Sequence, residues 1–433
     1  MSFDVDAALL AESAESVVAI AGINLINLII GTAAADTLLG TGQSDYLFGL
    51  GDSDALLGRN RRDWLFGGEG DDSLDGGNSN DYLFGGPGDD ILSSGRGSNR
   101  FDGGAGSDQL LGGEDRDRFF GSPGSDLIDG GAGSDIADYR RLGEAITLRL
   151  EVSSSAVALP VLKVFKAPAL FYPVHQPGDG EYDTLSQVET IVGNRRQTNT
   201  IDFSFGRFQS PYDPAPAAFA PSIDVNLNAQ RLTFLSPLAA DSTTLTVKNF
   251  RRVIGSFGSD TIVGDAKAND LDGFFGADIL SGGGGQDLLS TFEDDLLLGG
   301  AQRDRFRLKA SYSLTGDRSG FRYDPLTNPS VIADFQPGKD KILLENDPFG
   351  PIYLDGEVPF EYSAFALADG RLSADQFAVL SVDEITAATR ITYSAGTGDL
   401  FYRPVDPFLV GEQVKIAALD GAPTLSAKDF LVV

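Results

Sequence analysis

From Gly31 to Asp138 one residue type returns every nine positions: Asp36, Asp45, Asp54, Asp63, Asp72, Asp81, Asp90, then Asn99, Asp108, Asp117, Asp126 and Asp135. Five residues before each stands a glycine, or Ser94 in one case, and two after it an apolar residue, from Leu38 to Ile128. The unit reads G-G-x-G-x-D-x-U-x, where U is apolar. Clustered glycines allow positive φ, so the backbone turns tightly and aims its carbonyls or amides at one point. The three-residue strand after each turn directs only its middle residue inward. One turn and one strand make half a coil, and coils stack about 4.8 Å apart as parallel strands around a thin Leu-rich core. The expected fold class is all-β, a parallel β-solenoid or β-roll.

Alternate turns then lie on opposite edges. Edge one holds the turns ending at Asp36, Asp54, Asp72, Asp90, Asp108 and Asp126, with near-ideal phrases such as G-G-E-G-D-D and G-G-P-G-D-D. Edge two holds the others and carries Arg59, Arg61, Arg62, Arg96 and Arg116, whereas edge-one turns carry no arginine. Stacked carboxylates repel unless a cation sits between successive turns. Calcium fits, because it takes six to eight oxygens, carboxylate and carbonyl alike, in forgiving geometry. Magnesium prefers a stricter octahedron, and a chain with no Cys and one His offers soft-ligand metals no partners.

The block resembles the RTX, or haemolysin-type, calcium-binding repeat. The resemblance implies calcium held between same-edge turns by turn carbonyls and by the Asp of successive coils. Carried onto this chain, the ligands are Asp72, Asp90, Asp108 and Asp126 with the carbonyls of Gly68, Gly70, Gly86, Gly88, Gly104, Gly106 and Gly124. Asp54, Asp135, Asp260, Asp278 and Asp287 extend the set, Asp260 and Asp278 sharing a site. On edge two, Arg61, Arg62 and Arg116 serve as counter-charges in place of an ion, or are simply solvated.

The segments expected along the chain are an N-terminal cap (1–30), a first repeat block (31–138) and an insert of enlarged, irregular coils (139–254). A second block (255–308) and a β-rich C-terminal domain (309–433) follow. The second block carries Asp260, Asn269, Asp278 and Asp287, then slips by one residue to Asp295 and Asp304. Val331-Ile332-Ala333-Asp334-Phe335 with Gly338-Lys339-Asp340-Lys341-Ile342 resembles the phrase that closes secreted RTX proteins, and Ile391 to Tyr402 reads as a hairpin. The run Asp429-Phe430-Leu431-Val432-Val433 is similar to the acidic-apolar signal of type I secretion, which implies an ABC exporter and a secreted, extracellular or cell-surface location. The first thirty residues hold no Lys or Arg and so lack the basic start of a secretory leader.

The net charge of −30 argues against nucleic acid or anionic membrane as partners and opposes compaction until cations arrive. With no disulfide to staple the fold, calcium must supply that stabilisation. At an affinity near 10⁻⁴ M, ~1 mM calcium contributes roughly 1.4 kcal/mol per site and submicromolar calcium almost nothing. The chain is expected to be unfolded inside the cell and folded outside.

No H-E-x-x-H or G-x-S-x-G occurs, and the one histidine, His175, lies in a Pro-rich loop. The expectation is a protein without catalysis that serves as surface, matrix or adhesive material. The competing reading is a polysaccharide-active enzyme using carboxylates within 139–254. The strands leaving edge two begin Tyr46-Leu47-Phe48, Trp64-Leu65-Phe66 and Tyr82-Leu83-Phe84. With the leucines inward, Tyr46, Trp64 and Tyr82 form one outward ladder and Phe48, Phe66 and Phe84 another. Such a face is covered by another segment or contacts a partner, through glycan binding or self-association.

Overall fold

The computed structural model describes residues 27–151, 161–166, 181–204, 222–235, 242–291, 294–309, 329–344, 370–380, 383, 386, 388–403 and 413–433. Most of the expected N-terminal cap, the Pro211 to Pro221 loop and the His175 loop lie outside these residues. The described residues are almost wholly strand and turn, with a 3₁₀ turn at Ala427–Asp429 and no α-helix. They fall into two compact units. The first takes residues up to 199 together with 245–249, and the second takes 200–244 and 250–433; a short stretch, 154–159, also belongs to the second.

In the first unit the strands are β1 (Asn27–Ile30), β2 (Thr37–Leu39), β3 (Asp45–Gly51), β4 (Ala55–Leu57), β5 (Trp64–Glu69), β6 (Ser73–Asp75), β7 (Tyr82–Pro87), β8 (Ile91–Ser93) and β9 (Arg100–Ala105). They continue with β10 (Gln109–Leu111), β11 (Arg118–Phe120), β12 (Leu127–Asp129), β13 (Ile136–Asp138), β14 (Thr147–Glu151), β15 (Val161–Phe165), β16 (Tyr182–Ser186) and β17 (Thr190–Val192). Odd strands from β1 to β13 pair in parallel in one sheet, and even strands from β2 to β12 in the other, each offset by one coil. This is the stack the nonapeptide demands. Its core is one residue per half-coil: Leu38, Leu47, Leu56, Leu65, Leu74, Leu83, Leu92, Phe101, Leu110, Phe119 and Ile128 are all buried.

Several strands leaving edge two are longer than the three residues the repeat suggests, although β11 and β13 keep to three. β5, β7 and β9 each run six residues, into the edge-one glycines, where Gly86 pairs with Gly104 and Gly70 N donates to Pro87 O at 2.9 Å. Edge-two turns pair only at isolated bridges such as Asn60 with Asn78. The insert joins the stack without breaking it: β16 lies parallel on β12 and β17 on β13, while β14 and β15 form an antiparallel excursion whose far strand also pairs with β16.

In the second unit Thr261–Val263, Ile279–Ser281, Leu296–Leu298, Ser330–Ile332 and Val414–Leu419 stack in parallel, and the hairpin Ile391–Ser394 with Asp399–Tyr402 adds antiparallel to the last. Phe250–Ile254, Asp270–Asp272, Leu288–Thr291, Arg305–Leu308, Lys341–Leu344 and Phe430–Val432 stack likewise. Across the one-residue slip both ladders keep register, Ile279 pairing with Leu296 and Leu288 with Arg305.

Candidate metal-binding rows

Each repeat aspartate reaches across one coil. On edge one, Oδ1 of Asp54, Asp72, Asp90, Asp108 and Asp126 accepts from the main-chain N of Asp36, Asp54, Asp72, Asp90 and Asp108, at 2.7, 2.7, 2.8, 2.9 and 3.1 Å. On edge two, Asp63, Asp81, Asn99, Asp117 and Asp135 do the same for Asp45, Asp63, Asp81, Asn99 and Asp117, at 2.7 to 2.9 Å. In the second unit Asp278 and Asp295 accept in series from Asp260 and Asp278, and Asp287 and Asp304 from Asn269 and Asp287. The rows are therefore built by the backbone register that the Leu core sets.

The second oxygen is where the chemistry lies. Oδ2 of Asp54, Asp72, Asp90 and Asp108 on edge one, of Asp63, Asp117 and Asp135 on edge two, and of Asp278, Asp287 and Asp304 in the second unit is buried without a hydrogen-bond donor. A buried charged oxygen with no partner is costly. Burial, opposed by the backbone N–H and reinforced by the next carboxylate in the row, pushes Asp72, Asp90 and Asp135 up to about 6 and Asp63, Asp108 and Asp117 up to about 7. Asp287 rises to about 7 for the same reason, and Asp278, beside Asp295, is raised further. A cation facing Oδ2 would remove this cost.

The residues present fit calcium. Among the described residues no three His, Cys, Asp or Glu side chains converge on one point, so an ion here would take carboxylates of successive coils and complete its shell with carbonyls. The turns supply those carbonyls through backbone that only glycine adopts easily. Gly86 and Gly104 have φ of +123° and +107°, and a Cβ on Gly104 would strike the Gly86 carbonyl. Gly68, Gly70, Gly88, Gly106 and Gly124 share the positive φ.

Not every turn is left wanting. Where the second turn residue is Thr or Ser, the protein itself satisfies Oδ2. Thr41 donates to Asp45 through N at 2.6 Å and Oγ1 at 3.1 Å, Thr32 to Asp36 at 2.5 and 2.9 Å, and Ser256 to Asp260 at 2.6 and 3.1 Å. Asp36, Asp45 and Asp260 stand in the first repeat turns of their rows, and Asp260 Oδ1 also accepts from Ile223 N. Ser122 Oγ reaches Asp126 Oδ2 at 3.1 Å.

At that last position a second device appears. Lys166, buried at the end of the β15 segment, places Nζ 2.6 Å from Gly124 O, 3.0 Å from Asp126 Oδ2 and in an ion pair with Asp183 Oδ1. One coil earlier the corresponding atoms are Gly106 O, the unpaired Asp108 Oδ2 and Asp126 Oδ1. An ammonium thus stands where the repeat presents its oxygens. Asp183 is completed by the Tyr139 hydroxyl, 2.7 Å from Oδ2.

The repeat pattern does not mark Asp183, which continues the edge-one row by accepting from Asp126 N at 3.0 Å, nor Glu189, which accepts from Asp135 N at 2.7 Å. Asp340 does so for Asp304 at 3.0 Å. The local signal is present in Asp183-Thr184-Leu185, Glu189-Thr190-Ile191 and Asp340-Lys341-Ile342, each an acid followed two residues later by a buried apolar side chain. Of the two readings of the edge-two arginines, counter-charge or solvated side chain, the exposure agrees with the second. Arg61, Arg62 and Arg116 stand exposed, and Asp63 Oδ2 beside them has no donor, because the register turns the carboxylate inward and the long side chains to solvent. The Arg96–Glu114 pair, at 3.1 Å, is also exposed.

No curated protein matches the chain. Among solved structures it is similar to the extracellular lipase LipA from Serratia marcescens, at 13% identity over 90% of this chain and 40% of that one, so it spans well under half of that chain, and the TM-score of 0.13 carries no argument. The model of the RTX calcium-binding nonapeptide repeat matches residues 22–56, 57–92, 84–119, 102–137 and 254–289. With matches in both units and strands coiled as the repeat requires, the chain carries RTX calcium-binding nonapeptide repeats.

Proposed function

We propose that the protein is a non-catalytic extracellular calcium-binding protein: it leaves the cell unfolded through an ABC exporter of type I secretion, folds on meeting millimolar calcium, and then serves as surface, matrix or adhesive material. The observation that carries this reading is the series of buried, donorless Oδ2 atoms from Asp54 to Asp135 and from Asp278 to Asp304. In low calcium these rows repel each other and the −30 charge opposes compaction. In millimolar calcium each ion would bridge two coils and couple binding to folding.

The export step draws on the acidic-apolar segment. In the folded chain Asp429 is buried and accepts from Gly338 N at 2.9 Å, and Phe430 is fully buried on the Lys341–Leu344 strand. The same residues are free to be read by the exporter only before folding. No described helix is long and apolar enough to cross a membrane. Circular dichroism tests the reading: a chelated sample should be largely disordered and gain β signal on addition of millimolar calcium. The same β spectrum in both samples would refute it.

A further inference from the structure

The column that holds the aromatic ladder does not end in a ring. Tyr46, Trp64, Tyr82, Arg100 and Arg118 occupy matched positions on β3, β5, β7, β9 and β11, each in register with the next. The three rings stack face to face, at 4.5 Å between Tyr46 and Trp64 and 5.5 Å between Trp64 and Tyr82, and the Arg100 guanidinium lies 4.8 Å from the Tyr82 centroid. Ring faces are thus spent on one another, which leaves ring edges, two phenol hydroxyls and one indole N–H to meet a partner. Arg62 and Arg116, from edge-two turns, join Arg100 and Arg118 around a depression that Asn99 also lines.

Three observations give this place its chemistry. Four guanidiniums gather in a chain of net charge −30. Asn99 replaces the repeat aspartate here, which leaves the buried Asp117 as the one carboxylate against four arginines in the lining of the depression. Among the described residues Arg62, Arg100 and Arg116 have no ion pair, and Arg118 has only Asp138 at 4.0 Å. Burial and the charges of Arg140, Arg100 and Arg116 lower the Arg118 pKa against the pull of Asp138. Like charges brought together in this way favour an anion among them.

We propose that this face of the first unit binds an extended anionic polysaccharide, with its carboxylate or sulfate groups on the arginines and its hydroxyls along the Tyr46–Trp64–Tyr82 edges. Successive rungs are one strand spacing apart, about 4.8 Å, so a polymer with a repeating charge and repeating hydroxyls meets a repeating surface. The inference rests on the adhesive reading above and names its ligand class. Nucleic acid, whose charge density the acidic rows oppose, and acidic protein are the alternatives the test separates.

The probe is chondroitin sulfate, titrated calorimetrically into calcium-loaded protein in excess calcium. Dextran, poly-glutamate and single-stranded DNA serve as comparisons. Chondroitin sulfate should bind, more weakly as salt rises, and dextran should not. Arg100→Gln with Arg118→Gln should weaken binding by roughly tenfold or more, as expected for lost charge-assisted hydrogen bonds. Arg62→Gln with Arg116→Gln, in exposed turns where folding is not at stake, should also weaken it. Calcium-dependent circular dichroism confirms that each variant folds. Absence of binding by folded parent protein, undiminished parental affinity in both double variants, or equal or tighter binding of poly-glutamate or DNA would overturn the inference while leaving calcium-coupled folding intact. Failure of the parent to fold with calcium would instead remove the adhesive reading itself.

Discussion

Asp45 and Asp90 occupy the same place in the repeat but differ in the partners of Oδ2. Asp45 Oδ2 accepts from Thr41, whereas Asp90 Oδ2, beside Gly85, has no donor. Asp90→Ala should therefore lower the number of calcium ions bound and raise the calcium concentration needed for folding, while Asp45→Ala should leave the ion count unchanged, as read by native mass spectrometry. Equal losses would contradict the assignment. The same oxygens set a pH dependence. Burial raises Asp63, Asp108 and Asp117 to about 7 and Asp72 and Asp90 to about 6, from an ordinary 3.8. A carboxyl raised on folding stabilises the fold fully below its unfolded pKa and loses that contribution as pH rises through the folded value. Without calcium, β structure should thus be greater at pH 5 than at pH 7.5. With calcium the order reverses for binding, because protons compete for the same oxygens, and ion affinity should fall from pH 7.5 to pH 5. Circular dichroism in chelator and calcium titrations at both pH values check the two signs.

The ladders show how far a pattern of nine residues constrains a sheet. Period-two alternation with inward leucines was enough to place Tyr46, Trp64 and Tyr82 in one column and Phe48, Phe66 and Phe84 in another, and the rings stack within 10° of parallel. Each stacked pair adds about 0.5–1.5 kcal/mol beyond area burial, so Trp64→Ala, which removes two pairs, should cost on the order of 1–3 kcal/mol in calcium-loaded denaturant unfolding. Extension of β5, β7 and β9 into the edge-one glycines was not legible, since it depends on hydrogen bonds between coils rather than on residue type. Lys166 was equally hidden: its neighbours Gly124, Asp126 and Asp183 lie 42, 40 and 17 residues away, and only the antiparallel β14–β15 excursion brings it there. Lys166→Met should vacate a cation position, so that the variant binds one calcium more than the parent by native mass spectrometry. An unchanged ion count would mean that the ammonium does not occupy an ion's place.

Across the chain, the repeat blocks were readable because their period is unbroken, and the continuation of the rows through the insert was not, because 57 residues separate Asp126 from Asp183 where one coil separates the others. The closing phrase proves to be row structure: Asp334 accepts from Gly299 N and Gly300 N at 2.8 and 2.7 Å, and Asp340 from Asp304 N. Both units thus rest on carboxylates that bridge coils and leave one oxygen buried and unpaired. Crystals grown in calcium, with anomalous data collected at long wavelength, address that claim most directly. Calcium peaks are predicted within ligand distance of Oδ2 of Asp72, Asp90 and Asp108, with Lys166 Nζ and no peak beside Asp126 Oδ2. Oδ2 atoms that remain buried and donorless with no ion facing them would contradict it.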